Sequence, residues 1–174
     1  MKVARRSSQR RRPHAATRFL VASWLTLSIA EGATADAIPP YSIESVRAHF
    51  YYQASGTFSD SDLFDPALVL RNTISGEGGD AKEPSGAVLV LVEMSGSFLS
   101  GAKGTIELDA SADGRKFPHQ SIPLRSLFSE TGTATAPFLI YDSPCWPLKL
   151  EIRFVGVHGN PASVTRTIPF QCGE

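Results

Sequence analysis

From residue 46 onward the chain alternates apolar and polar positions in short runs, the period-two signature of half-buried β-strands. Val46, Ala48, Phe50 and Tyr52 alternate with Arg47, His49, Tyr51 and Gln53. Ile106, Leu108 and Ala110 alternate with Thr105, Glu107 and Asp109, and Leu148, Leu150, Ile152 and Phe154 with Lys149, Glu151 and Arg153. Leu68, Leu70, Asn72 and Ile74 suggest a further strand with a less regular pattern. Residues 87–94 (AVLVLVEM) are almost wholly apolar, which predicts a central strand covered on both faces. Residues 134–141 read as another strand, and Pro137 within it removes a ladder donor, which predicts an edge or a break. Residues 164–170 close the set.

Proline and glycine punctuate these runs often enough to leave little room for a helix of ordinary length. Seven or eight strands at this spacing predict an all-β fold, a single antiparallel β-sandwich, with a barrel as the alternative closure. One helical turn is expected. Pro123 suits a first helical position, and Leu124, Leu127 and Phe128 follow at i, i+3 and i+4, placed to plug an open end of the sandwich.

The first 37 residues follow a different pattern. Arg5, Arg6, Arg10, Arg11, Arg12 and Arg18 precede an apolar run over 19–30, and small residues follow as Ala33-Thr34-Ala35 or Ala35-Asp36-Ala37. This is the layout of a signal peptide with its cleavage site. The apolar run of 12 residues falls well short of the roughly 20 needed to span a bilayer, so no retained anchor is expected in the mature chain. Pro13-His14 after the Arg11-Arg12 pair does not fit a twin-arginine signal, leaving a Sec-type bacterial leader and a periplasmic or secreted destination. Residues 38–174 then form one domain, enough chain for a single core.

Removing the leader changes the charge. Seven of the 17 basic residues but only two of the 17 acidic ones precede residue 38, so the remainder carries ten basic and fifteen acidic residues, a formal −5. An acidic domain with no Lys/Arg cluster is a poor match for phosphate backbones, so nucleic acid is not expected as a partner. Both cysteines, Cys145 and Cys172, lie in the mature part, where an oxidising compartment favours their one possible bridge. Zinc would need further ligands, and no histidine lies near either cysteine in sequence. Residues 148–157 and 163–170 flank His158-Gly159-Asn160-Pro161 as the arms of a hairpin would, which brings Cys145 and Cys172 opposite one another just past the paired ends.

Two polar segments could carry chemistry. Residues 75–86 (SGEGGDAKEPSG) join two strands, and Glu77, Asp80 and Glu83 make this the candidate binding loop. Its glycines and its lack of apolar anchors predict mobility. It has no phosphate-loop pattern, and its carboxylates would repel an anion. Asp60, Asp62 and Asp65 form a second acidic segment whose carboxylates could contribute to a calcium site, although the EF-hand glycine and glutamate are missing. The alternative reading is that Asp60 or Asp62 caps a turn before Leu63-Phe64.

No cofactor motif is present. His49 sits on a polar strand face, His119 follows Pro118 in a loop, His158 falls in the hairpin turn, and no G-x-S-x-G elbow occurs. Trp146, between Cys145 and Pro147, reads as packing beside the disulfide, or as an interaction anchor if exposed. Arg166 shares a strand face with Val164, Ile168 and Phe170, which makes it either an edge position or a paired, partly buried charge. The run RNTISGEGGDAKEPSGAVLVLVEMSG and the closing IPFQCGE resemble a group of small exported bacterial proteins. That resemblance implies export and a single domain, with no activity attached.

The expectation is an exported, non-catalytic binding or accessory module acting on an unknown protein or envelope component. The alternatives are a calcium-dependent module of the same fold and a small exported hydrolase whose triad does not show in residue spacing.

Overall fold

The computed structural model describes residues 41–76, 79–96, 103–128, 132–143, 145–157 and 162–173. The signal-peptide reading, Glu77 and the 158–161 turn therefore lie outside the described residues.

Among the described residues nine strands form two sheets: β1 (Tyr41–Tyr52), β2 (Thr57–Phe58), β3 (Ala87–Gly96), β4 (Thr105–Ala112), β5 (Arg115–Lys116), β6 (Gln120–Pro123), β7 (Thr133–Tyr141), β8 (Leu148–Val155) and β9 (Ser163–Ile168). The first sheet runs β2-β1-β3-β7. The second runs β5-β4-β8-β9, with β6 also paired to β4. Every named pairing is antiparallel. Two separate sheets packed face to face make this a sandwich rather than a barrel.

The period-two pattern accounts for the core. Ala48, Phe50 and Tyr52 of β1, Val88, Val90, Val92 and Met94 of β3, and Ala136, Phe138 and Ile140 of β7 are buried from one side. From the other side come Ile106 and Leu108 of β4, Leu150, Ile152 and Phe154 of β8, and Ile168 of β9. Burying each large aliphatic or aromatic side chain contributes about 1.5–3 kcal/mol, which offsets the ordering of the strands.

The expected C-terminal hairpin is present. β8 and β9 pair from Leu148↔Ile168 to Arg153↔Ser163, and Cys145 and Cys172 are joined just beyond, with Cα atoms 4.7 Å apart. Pro137 lies on β7, an edge strand, as its missing donor requires. The helical turn is a single 3₁₀ turn, Leu124–Ser126. Pro123 stands one position ahead of it as an extended N-cap, and Leu124 is fully buried. The ring of Phe128 packs 5.3 Å from that of Tyr41, at the end of the sandwich.

Two expectations are corrected. Residues 68–74 are not a strand. Only an isolated parallel bridge, Arg71↔Gln171, forms there. Asn72 takes a left-handed φ of 50°, and the N–H groups of Ser75 and Gly76 both close turns onto its carbonyl. Leu70 is buried, so the alternation reflected packing without a ladder. β3 is central but not covered on both faces. Its Val88, Val90, Val92 and Met94 side is buried, while Leu89 and Leu91 on the other face are only half-buried, Leu89 flanked by His49 and Leu139 and Leu91 by Arg47 and Pro137.

Candidate functional site

The three aspartates of the 60–65 segment are spread over separate partners, two of them in the backbone. After β2 the chain runs along the outer edge of β1, where Ser59 and Asp62 replace a strand. Ser59 N–H donates to Phe50 O and Ser59 Oγ accepts from Phe50 N–H, both at 3.0 Å. Leu63 N–H donates to Ala48 O at 2.8 Å, and Asp62 Oδ1 accepts from Ala48 N–H at 3.0 Å. The same Asp62 oxygen accepts from Phe64 N–H at 3.2 Å, and Asp65 Oδ1 accepts from Ala67 N–H at 2.9 Å. Asp60 faces Lys82 Nζ at 3.3 Å across an exposed surface. Among the described residues no three His, Cys, Asp or Glu side chains converge on a common point.

The 75–86 segment is more firmly held than its glycines suggest. Asp80 brackets Val69, its N–H donating to the Val69 carbonyl and its Oδ2 accepting from the Val69 N–H. Gly79, at φ +80°, permits this approach, because a Cβ there would run into the Val69 carbonyl oxygen. Lys82 N–H donates to the Tyr52 hydroxyl, and buried Ser85 donates from its backbone to Thr73 O and from its hydroxyl to Tyr51 O. These hydrogen bonds tie the described part of the segment to its neighbours, with Asp80 bonded to the Val69 backbone. Glu83 is half-buried, with Oε2 lacking a hydrogen-bond partner among the described residues.

The densest group of ionisable side chains lies on the outer face of the second sheet, where sequence patterning places only solvent-facing residues. The β4–β8 register sets Glu107 opposite Arg153. Arg153 donates from Nη2 to Glu107 Oε2 at 2.9 Å and from Nη1 to Asp109 Oδ2 at 2.5 Å. His119 donates from Nδ1 to Asp109 Oδ1 at 2.9 Å, and its Nε2 stands 3.8 Å from Glu107 Oε2. The Asp109 carboxyl titrates below its ordinary value, chiefly through the His119 hydrogen bond and then through Arg153. The guanidinium is held more firmly protonated by Asp109. His119 is thus tied to Asp109 through Nδ1, with Nε2 beyond hydrogen-bond reach of Glu107. His49 donates from Nδ1 to Ser59 O at 2.9 Å and helps hold the edge segment. His158 lies outside the described residues. The outward alternation of Glu107, Asp109 and Arg153 is the sequence signal for this group, but their pairing depends on register.

The exposed aromatic residues are concentrated elsewhere. Across the outer face of the first sheet, Phe58, Tyr51, Ala87 and Tyr141 stand in one row, with Phe58 and Tyr51 rings 5.2 Å apart. Tyr141 is 58% and Phe58 48% exposed. Leu89 and Leu139 form the next row. Beside it, a depression of about 250 Å³ is lined by Arg115, Phe117, Gln120, Leu139 and Tyr141. Trp146, further along the β7–β8 connection, is 50% exposed, so the expected packing against the disulfide is corrected in favour of the exposed alternative. Arg166 is exposed on the edge strand β9, its guanidinium 5.9 Å from the centroid of Phe64. Among the described residues no helix is long and apolar enough to cross a membrane.

The fold therefore defines a two-sheet antiparallel β-sandwich with a disulfide closing its C-terminal hairpin. No protein-family model, curated protein or solved structure matches the chain.

Proposed function

We propose that the protein is an exported, non-catalytic binding or accessory module of the periplasm or the cell exterior. The observation that carries this reading is the distribution of its side chains. The chemistry-bearing groups are engaged in the fold, with Asp62 and Asp80 bonding backbone and His119 held between Glu107 and Asp109. The exposed large apolar side chains among the described residues include three aromatic ones, Tyr141, Phe58 and Trp146, each about half exposed. Aromatic side chains combine large contact area with a polar tip and are favoured as anchors in binding surfaces. The disulfide supports an oxidising destination.

The test is affinity capture from the native cell envelope, with wild-type protein compared against Tyr141→Ala and Trp146→Ala. Exposed aromatics contribute little to folding, so both variants should keep the wild-type unfolding midpoint while losing captured partner. Undiminished capture by both variants would move the binding surface away from these residues.

A further inference from the structure

A β-sandwich has sheet edges, and each is a template for pairing unless something blunts it. Three of the four edges here are blunted. The β1 edge is covered by β2 and by the Ser59–Leu63 segment, which satisfies both N–H and C=O of Ala48 and of Phe50. On β7, Gln120 Nε2 donates to Leu139 O at 3.0 Å. Pro137, two residues away and directed to the same edge, has no N–H to offer. The β4 edge is covered by β5 and β6, and β6 is a short piece ending in Pro123.

β9 is the exception. Over Ser163–Ile168 it pairs with β8, and no described residue pairs with its outer side. The segment SVTRTI contains no proline or lysine and pairs without a register shift. Its one charged side chain, Arg166, is laid over Phe64.

We infer that β9 is a self-association edge, at which two copies of the chain join antiparallel to make one continuous sheet across a two-fold axis. The segment is self-complementary about Thr165. With Thr165 opposite its own copy, Ser163 faces Thr167 on the solvent side, and Arg166 faces Val164 on the other side. Hydroxyl pairs of this kind are favourable cross-strand neighbours, and no like charges meet. Centring on Arg166 instead would set two guanidinium groups opposite each other, which disfavours that register. A two-fold axis at Thr165 closes the assembly as a dimer, leaving no free copy of this edge for further growth. The interface is mostly backbone hydrogen bonds along one short strand, so association is weak and concentration-dependent.

The experiment is light scattering of the purified protein over a concentration series, with Thr165→Glu and Thr165→Lys. Thr165 is exposed on the outer face opposite Glu151, so both variants should fold in dilute solution, with Thr165→Glu melting somewhat below wild type because it sets like charges across the β8–β9 pair and Thr165→Lys, which meets an opposite charge, melting close to wild type. Wild type should approach twice the monomer mass at high concentration. Each variant alone should remain monomeric, because like charges meet at the axis. An equimolar mixture of the two should regain the dimer, because opposite charges then meet. Wild type that stays monomeric to its solubility limit overturns the inference. So does a Thr165→Glu protein that dimerises as well as wild type, or a mixture no heavier than its components.

Discussion

The carboxylate of Asp62 accepts the backbone N–H of Ala48 at 3.0 Å and so acts as the carbonyl of a strand that is not there. Ala48 is fully buried, and Leu63 N–H completes the exchange by donating to its carbonyl. Asp62→Ala should therefore leave a buried donor without a partner, at a cost of about 1–3 kcal/mol. Asp62→Asn keeps an acceptor oxygen and should cost clearly less. Urea unfolding of the two variants checks this. Equal destabilisation would mean that the charge, not the acceptor, is what the edge uses.

The same geometry bears on calcium. Asp62 and Asp65 each direct Oδ1 to backbone N–H groups, and Asp60 faces Lys82. Adding calcium or a chelator should leave the melting temperature unchanged. A ligand bound only by the folded state would raise stability by about 2.7 kcal/mol at a hundredfold excess over Kd. A clear rise with calcium, removed by Asp62→Asn, would restore the calcium-dependent alternative.

The parts of this fold legible in the sequence are those where a sheet has one buried face. Val46 to Tyr52 and Leu148 to Phe154 must alternate, because successive side chains point to opposite faces. The β8–β9 hairpin and the two cysteines reinforce one another. Leu68 to Ile74 misleads because Leu70 is buried whether or not its backbone joins a ladder, and Asn72 turns the chain instead. Asp113-Gly114, with φ of 46° and 75°, makes the tight turn between β4 and β5. That dipeptide is a strong local hairpin signal, but hydrophobic alternation alone passes over it because β5 has only two residues. The roles of Asp62 and Asp80 have no local signature. Which backbone donor a carboxylate meets depends on a neighbouring segment brought in by the fold.

Losing the bridge between Cys145 and Cys172 should lower stability without abolishing the fold. At a sequence separation of 27, the chain-entropy model gives about 3–4 kcal/mol for the double Cys→Ala variant. The C-terminal strap keeps other ties: Gln171 N–H to Leu70 O at 2.9 Å and Gly173 N–H to Asn72 Oδ1 at 2.5 Å. Urea unfolding gives the difference, and mass spectrometry of unreduced digests should recover the linked peptides. Two free thiols in the native protein would overturn this expectation.

Gly79 should be the most sensitive position of the 75–86 segment. Gly79→Ala introduces a Cβ into the space of the Val69 carbonyl at a φ of +80°, which L side chains rarely adopt. The cost should reach about 1–3 kcal/mol, as for other residues forced into sparsely populated backbone regions. Asp80→Ala should cost less, about 0.5–1.5 kcal/mol, since its bond to the Val69 N–H is exposed to water. Thermal melts of both variants test the order. If Gly79→Ala proves neutral, the Asp80–Val69 bracket is not what holds the segment.

Acid should weaken the fold partly through Asp109. His119, and then Arg153, stabilise its ionised form, so its folded pKa lies below the unfolded value of about 3.9. The stability from such a depressed carboxyl is fully present above the unfolded value and is lost as pH falls through the folded one. Glu93 shifts the same way through Ser45 and Arg47, and Glu44 through Ser42 and Ser95. All three are solvent-accessible, so each contribution is modest. Wild type should hold its stability at neutral pH and lose it on acidification below about pH 4. Asp109→Asn has no charge to lose at that position, so its acid branch should be shallower, and its gap from wild type should narrow as pH falls. Urea unfolding across a pH series for both proteins provides the measurement. A gap that stays constant from neutral to acid pH would show that the Asp109–His119–Arg153 contacts do not stabilise the folded protein through charge.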